Sequence, residues 1–120
     1  MTFKRQATGR QGEEIAADYL KSKGYRILNR NFRCRLGEID IIAVDREQLV
    51  FIEVRAKSSD RYGLARESIH GQKQARLRRL AAYYLQAEGK TSQNCRFDVV
   101  AVQFDREGKL VEVEHIEDAF

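Results

Sequence analysis

Residues 37–57 read GEIDIIAVDREQLVFIEVRAK, and how this stretch pairs with itself decides what the rest of the chain must do. It holds two runs rich in β-branched residues, Glu38 to Asp45 and Gln48 to Lys57, on either side of the polar break Asp45-Arg46-Glu47-Gln48. That pattern predicts an antiparallel hairpin. Arg46-Glu47 lacks the Gly or Asn that tight primed turns favour, so a two-residue turn and a wider loop closed by Val44 and Leu49 both stand. Either gives the same register: residue 40 opposite 53, 38 opposite 55, 42 opposite 51, and 39, 41 and 43 opposite 54, 52 and 50.

Strand alternation then separates two faces. Ile39, Ile41 and Ala43 meet Val54, Ile52 and Val50 on an apolar face that must be covered. On the other face Ile42 and Phe51 give way to Asp40 beside Glu53, then Glu38 beside Arg55, with Lys57 beyond. The plain account of that charged end is a solvated face with one exposed Glu38–Arg55 pair, worth ~0–1 kcal/mol. Asp40 opposite Glu53 speaks against it, because like charges directly across a sheet destabilise the pair. Two carboxylates aimed at one point suit a hard divalent cation that takes oxygen ligands. A neighbouring Lys or Arg would then hold a water or a phosphate oxygen beside the ion.

The chain has 120 residues, 42% hydrophobic and 33% charged, which fits one globular domain with a single core. No run approaches the ~18 apolar residues of a membrane helix. The start, Met-Thr-Phe-Lys-Arg-Gln, has charge but no apolar centre, so no secretory signal and no membrane partner are expected, and the expected location is cytoplasmic. Cys34 and Cys95 lack partners at zinc-ligand spacing and read as buried free thiols. His70 and His115 stand alone, with no nucleophile motif beside either. Carboxylates are what the sequence offers for chemistry.

Net charge is +4, and its distribution points to a polyanion. Lys21 to Arg35 holds six basic residues and no acid; Arg61 to Arg79 holds Lys73, Arg76, Arg78 and Arg79 among its basic residues and Glu67 as its acid. The C-terminal segment is acidic by contrast.

Thr8 with Gln11 resembles a capping box, and Ile15, Ala16, Tyr19 and Leu20 recur at helical spacing, predicting a helix to about Lys23 with Gly24 as its cap. Glu13 and Glu14 have two readings, as acids suited to early helical turns or, for Glu13, as a functional group. Tyr25 to Phe32 predicts a strand, and Ser58 to Gly63 a loop. A second helix is expected to begin between Arg66 and Gly71 and to end near Glu88, with Ile69, Leu77, Leu80, Ala81, Tyr84 and Leu85 as its apolar stripe. Gln72, Lys73, Arg76, Arg79 and Tyr83 form another stripe, either solvated or in contact with phosphate. Arg96 to Phe104 reads as an interior strand and Lys109 to Ile116 as a last one. The long helical connection to Cys95 calls for parallel neighbours, hence an α/β fold with a five-stranded mixed sheet, the first helix covering the hairpin's apolar face.

This pattern resembles the PD-(D/E)XK nuclease superfamily, with its restriction endonuclease-like core. More narrowly it resembles the YraN family of bacterial proteins, through Gly12-Glu13, Gly24-Tyr25, Asn31, GEIDIIA at Gly37 to Ala43, FIEVR at Phe51 to Arg55, Lys73, and RFDVVAV at Arg96 to Val102. The resemblance implies a Mg²⁺- or Mn²⁺-dependent phosphodiesterase acting on DNA, branched or Holliday-junction-like DNA included. Asp40 and Glu53 would be the metal ligands and Glu13 an acid on the first helix, as in related Holliday-junction resolvases. Lys73 would be a basic position on the second helix. The superfamily lysine is Arg55 here, which cannot serve as a base, although it can stabilise charge, and Lys57 shares its strand face. Arg33, Arg35, Lys73, Arg76 and Arg79 are the candidate nucleic-acid contacts. Related resolvases form dimers, so a homodimer is one assembly to look for. A non-catalytic nucleic-acid-binding module and a structural interaction protein are the other readings.

Overall fold

A computed structural model describes residues 2–58, 71–90 and 93–120, with side chains from residue 9 onward. In chain order the elements are α1 (Thr2–Ser22), β1 (Arg26–Cys34), β2 (Gly37–Asp45), β3 (Gln48–Ser58), α2 (Gly71–Ala87), β4 (Cys95–Phe104) and β5 (Leu110–Ile116). The strands lie in the order β1-β2-β3-β4-β5, with β3 and β4 parallel and the other neighbours antiparallel. The fold is thus α/β, a five-stranded mixed sheet with two helices packed on it, consistent with a restriction endonuclease-like core. α2 lies in the connection between the two parallel strands, where a crossover is required.

The sheet has a helix on each face because its central strands are apolar on both. Ala16, Ala17 and Leu20 of α1 pack with Ile41, Ala43, Val50 and Ile52 and with Val100, Val102 and Phe104 of β4. Leu77, Leu80, Ala81 and Tyr84 of α2 pack with Ile42, Leu49, Phe51 and Phe97. Both helices cover the faces their stripes predict, although Ile69, His70 and the expected loop beyond Ser58 lie outside the described residues. Cys34 and Cys95 are free and half-buried at the edge of the α2 cluster, more open than the expected buried thiols, because both sit at strand ends.

α1 begins at Thr2, so Thr8 lies inside the helix instead of capping it. Nothing from Thr2 to Thr8 breaks a helix, and Gly9 costs only ~1 kcal/mol against alanine. At the other end Gly24 has φ 93°, with Gly24 N–H on Lys21 O and Tyr25 N–H on Leu20 O, the paired bonds of a Schellman stop. The β2–β3 connection is the two-residue turn, closed by the Asp45–Gln48 pair, and Arg46 takes φ 61°, a conformation usually left to Gly or Asn.

One contact sets how closely α1 lies on the sheet. Gly12 is buried, and a Cβ placed on it would lie 2.8 Å from the Ala56 Cβ of β3. The absent side chain lets the helix backbone approach β3 and carries the adjacent Glu13 toward the middle of the sheet. Gly12→Val should cost about 1–3 kcal/mol through overpacking, measured by urea unfolding. Pairing it with Ala56→Gly should recover part of that loss.

Candidate metal and nucleic-acid site

Pairing between β2 and β3 runs from Asp45–Gln48 to Ile41–Ile52, in the expected register. Continued by one more hydrogen-bonded step, the ladder would give the Val54 N–H to the backbone carbonyl of residue 39. The Asp40 carboxylate takes that donor instead, with Oδ2 2.8 Å from the Val54 nitrogen. On the opposite side of β2, Asn31 of β1 has φ 57° between the pairs Arg30–Ile41 and Phe32–Ile39. Asn is one of the few side chains that tolerates this conformation.

Alternation along β2 therefore breaks at Asp40. Ile41 belongs to the cluster under α1 and Ile39 to the cluster under α2, so the expected common face of Ile39, Ile41 and Ala43 is corrected. Glu38 is corrected too. It pairs with Arg33 of β1 at 2.6 Å, where a Glu38–Arg55 pair was expected, because β2 has left β3 before the chain reaches it.

Where the strands part lies a cavity of about 210 Å³ lined by Glu38, Asp40, Glu53, Lys73 and Arg76. Glu53 is buried, with Lys73 Nζ 2.7 Å and Arg55 Nη1 3.6 Å from its Oε2. Lys73 comes from α2, so the helix covering this face also supplies a cation. The Asp40 carboxyl is pushed up to about 7, first by burial and then by the Glu53 charge; the Val54 N–H pulls the other way, and Glu13 and Glu38 add to the rise. Glu13 of α1 is thus within electrostatic reach of Asp40, where the close seating of Gly12 carries it. Lys57 lies outside the lining of this cavity, further along β3 toward Ser58.

Among the described residues, no three His, Cys, Asp or Glu side chains converge as a ready-made metal cluster. Two carboxylates suffice for Mg²⁺, which keeps several waters and takes one or two carboxylates plus phosphate. The donor set fits, since Asp40 is held against ionisation by burial and by a second acid, the conflict a divalent cation relieves.

Of the basic residues expected to contact nucleic acid, Lys73 and Arg76 line this cavity. Gly37 lines the same cavity as Leu80 and Arg76, and a Cβ on it would lie 3.4 Å from the Leu80 side chain, which sets the Arg35-Leu36 turn beside α2. Arg35, Arg76 and Arg79 are exposed, and Arg33 is exposed but engaged with Glu38.

A second charged assembly escaped the sequence reading. Asp98, fully buried on β4, accepts from Arg96 (Nε and Nη2, each 2.9 Å), His115 Nε2 (2.7 Å) and the Asp118 N–H (3.0 Å). Burial works to raise its carboxyl, but the hydrogen bonds from His115 and Arg96 outweigh it and hold Asp98 below the usual range. Lys23 Nζ lies 2.8 Å from His115 Nδ1; an ammonium only donates, so Nδ1 accepts and Nε2–H faces Asp98. The signal was an acid inside an apolar run with an arginine two residues before it on the same face. A larger cavity of about 560 Å³ opens beside this network, but Lys23, Arg96, Asp45 and Glu117 on its wall pair with one another. We read it as the lock that closes this end of the sheet.

The sequence profile of the uncharacterised protein family UPF0102 matches residues 12–102. UPF0102 proteins of Pelotomaculum thermopropionicum and Moorella thermoacetica are 57% and 54% identical over the full length of both chains. A UPF0102 protein of Syntrophus aciditrophicus is 50% identical over 94% of this chain and 87% of its own.

A carboxyl raised by folding binds its proton more tightly in the native state, so its contribution to stability falls as pH rises from ~4 toward 7 and is flat above. Asp40→Asn keeps an acceptor for Val54 and removes the charge. It should therefore match the parent near pH 4 and exceed it, by on the order of a few kcal/mol, at pH 8 in metal-free urea titrations.

Proposed function

This chain belongs to the uncharacterised protein family UPF0102, and from that premise we propose that it is a Mg²⁺- or Mn²⁺-dependent endonuclease hydrolysing phosphodiester bonds in DNA, branched DNA included. The observation that carries the reading is one small cavity holding Asp40 and Glu53, with the Lys73 ammonium on Glu53.

Asp40 and Glu53 would hold the cation, which supplies Lewis-acid polarisation of the scissile phosphate and a more acidic water. The Val54 N–H fixes the orientation of the Asp40 carboxylate, so little reorganisation remains when a cation arrives. Lys73 and Arg55, both on Glu53, would offset the negative charge that grows on the phosphoryl oxygens. Arg55 keeps its charge throughout, so it serves electrostatics and not proton transfer. Glu13, felt by Asp40, would orient the attacking water. Arg76 in the cavity lining, with the exposed Arg79, Arg33 and Arg35, would position the phosphate backbone without reading sequence. A homodimer, placing two such sites on two strands, is part of the proposal.

One observation favours a second reading. Arg55 occupies the position at which the resembled superfamily carries lysine, and a chain that lost turnover there would remain a DNA-binding module that does not cut.

Calorimetric titration of Mn²⁺ should show one site that Asp40→Ala and Glu53→Ala each weaken roughly 10-fold or more. Equal, weak binding by all three proteins removes the metal site. Cleavage of a panel of branched, single-stranded and duplex DNAs, with Arg55→Lys alongside the parent, then decides between enzyme and module: metal and DNA binding without any product selects the module.

A further inference from the structure

α2 presents two consecutive tyrosines in opposite senses. Tyr84 is buried, edge-on to Phe32 at 5.2 Å and to Phe51 at 5.9 Å. Tyr83 is 43% exposed, with its ring centroid 6.4 Å from that of Phe32 and tilted 45° to it. An aromatic ring braced from beneath by another loses little freedom when something stacks on its outer face.

Its surroundings are cationic. Over Gly71–Ala87 the helix carries Lys73, Arg76, Arg78 and Arg79 and no acid. Arg76, Arg79 and Tyr83 follow one another at helical spacing, so they share one face, and all three are exposed. The Arg35-Leu36 turn lies beside α2, since the Gly37 that follows it lines one cavity with Arg76 and Leu80, and Leu36 is 36% exposed. From Lys73 at the carboxylate cavity to Tyr83 is about 15 Å along the helix axis.

We infer that the face of α2 formed by Arg76, Arg79 and Tyr83 binds an unpaired nucleic-acid strand, its phosphates on the arginines and a base stacked on Tyr83. The inference rests on the proposed function and names the substrate class that this face selects: DNA with a single-stranded segment next to the bond that is cut. Duplex DNA offers the arginines the same phosphates, but its base faces are already stacked on one another and cannot reach Tyr83. An anionic membrane would satisfy the arginines too. It calls for a continuous apolar stripe, though, and here the exposed face of α2 carries Arg76 and Arg79 one turn apart next to Tyr83.

The test is fluorescence anisotropy in EDTA, which needs neither metal nor cleavage, using a labelled single-stranded oligonucleotide and the duplex of the same sequence. Tyr83→Ala should weaken single-strand binding about tenfold and duplex binding less than about twofold, and Tyr83→Phe should restore the parent's affinity. Arg76→Gln should weaken both substrates alike. Loss by Tyr83→Ala that is equal on the two substrates, or absent on both, overturns the inference and leaves the proposed function standing. Failure of the parent protein to bind either nucleic acid overturns both. Retention on phosphatidylserine vesicles without oligonucleotide binding would assign the face to a membrane and likewise overturn the inference.

Discussion

One hydrogen bond, from the Val54 N–H to the Asp40 carboxylate, is the constraint on which the rest depends. It replaces a backbone partner with an acid at the point where β2 turns away from β3. The exchange is costly for Asp40, since burial and the Glu53 charge both oppose its ionisation and a single N–H compensates only in part. Local rules are broken here without a structural gain to match, a common mark of a functional site. The same bond opens the cavity, aims one carboxylate into it and sends Ile39 under α2.

Everything around this point has two-sided support. α1 seats against β3 through Gly12 and Ala56, while α2 closes the other face through Leu77, Leu80 and Tyr84. Lys73 extends from the same helix to Glu53, so the packing of α2 and the electrostatics of the cavity are one structural fact. At the far end the Arg96–Asp98–His115–Lys23 network ties the turn after α1 to β4 and β5. A buried charge network of this kind specifies geometry more than it adds stability, since its desolvation cost offsets much of its attraction. The two charged assemblies thus divide the work, one fixing the frame and the other leaving an acid short of partners.

Most of the fold was legible because the hydrophobic period changes cleanly along the chain. Alternation in residues 38–57 gave the hairpin and its register, and helical spacing gave both covering helices. What alternation could not show was where it would fail: a strand that exchanges a backbone acceptor for a side chain looks regular in sequence. Ile39 and Glu38 were misplaced for that reason. Asn31, the residue in left-handed conformation on the neighbouring strand, was noticed only as part of a resemblance. Asp40 and Glu53 were legible as an unfavourable pair, and Lys73 as a basic helical position. Its contact with Glu53 depends on tertiary packing that no local pattern encodes. The start of α1 was misread since a plausible cap at Thr8 has no force when nothing before it interrupts the helix. Asp98 went unread although Arg96 stands two residues before it on β4, and His115 read as isolated because its partners, Asp98 and Lys23, lie far from it in sequence.

A half-buried Asp40 and a buried Glu53 share one small space, and carboxyl-carbon NMR of metal-free protein tests this most directly. The Asp40 signal should titrate near pH 7, far above an ordinary aspartate, and Glu53→Gln should bring its midpoint down by removing the neighbouring charge. An Asp40 signal that titrates near pH 4, with no response to Glu53→Gln, would mean that the two carboxylates do not meet.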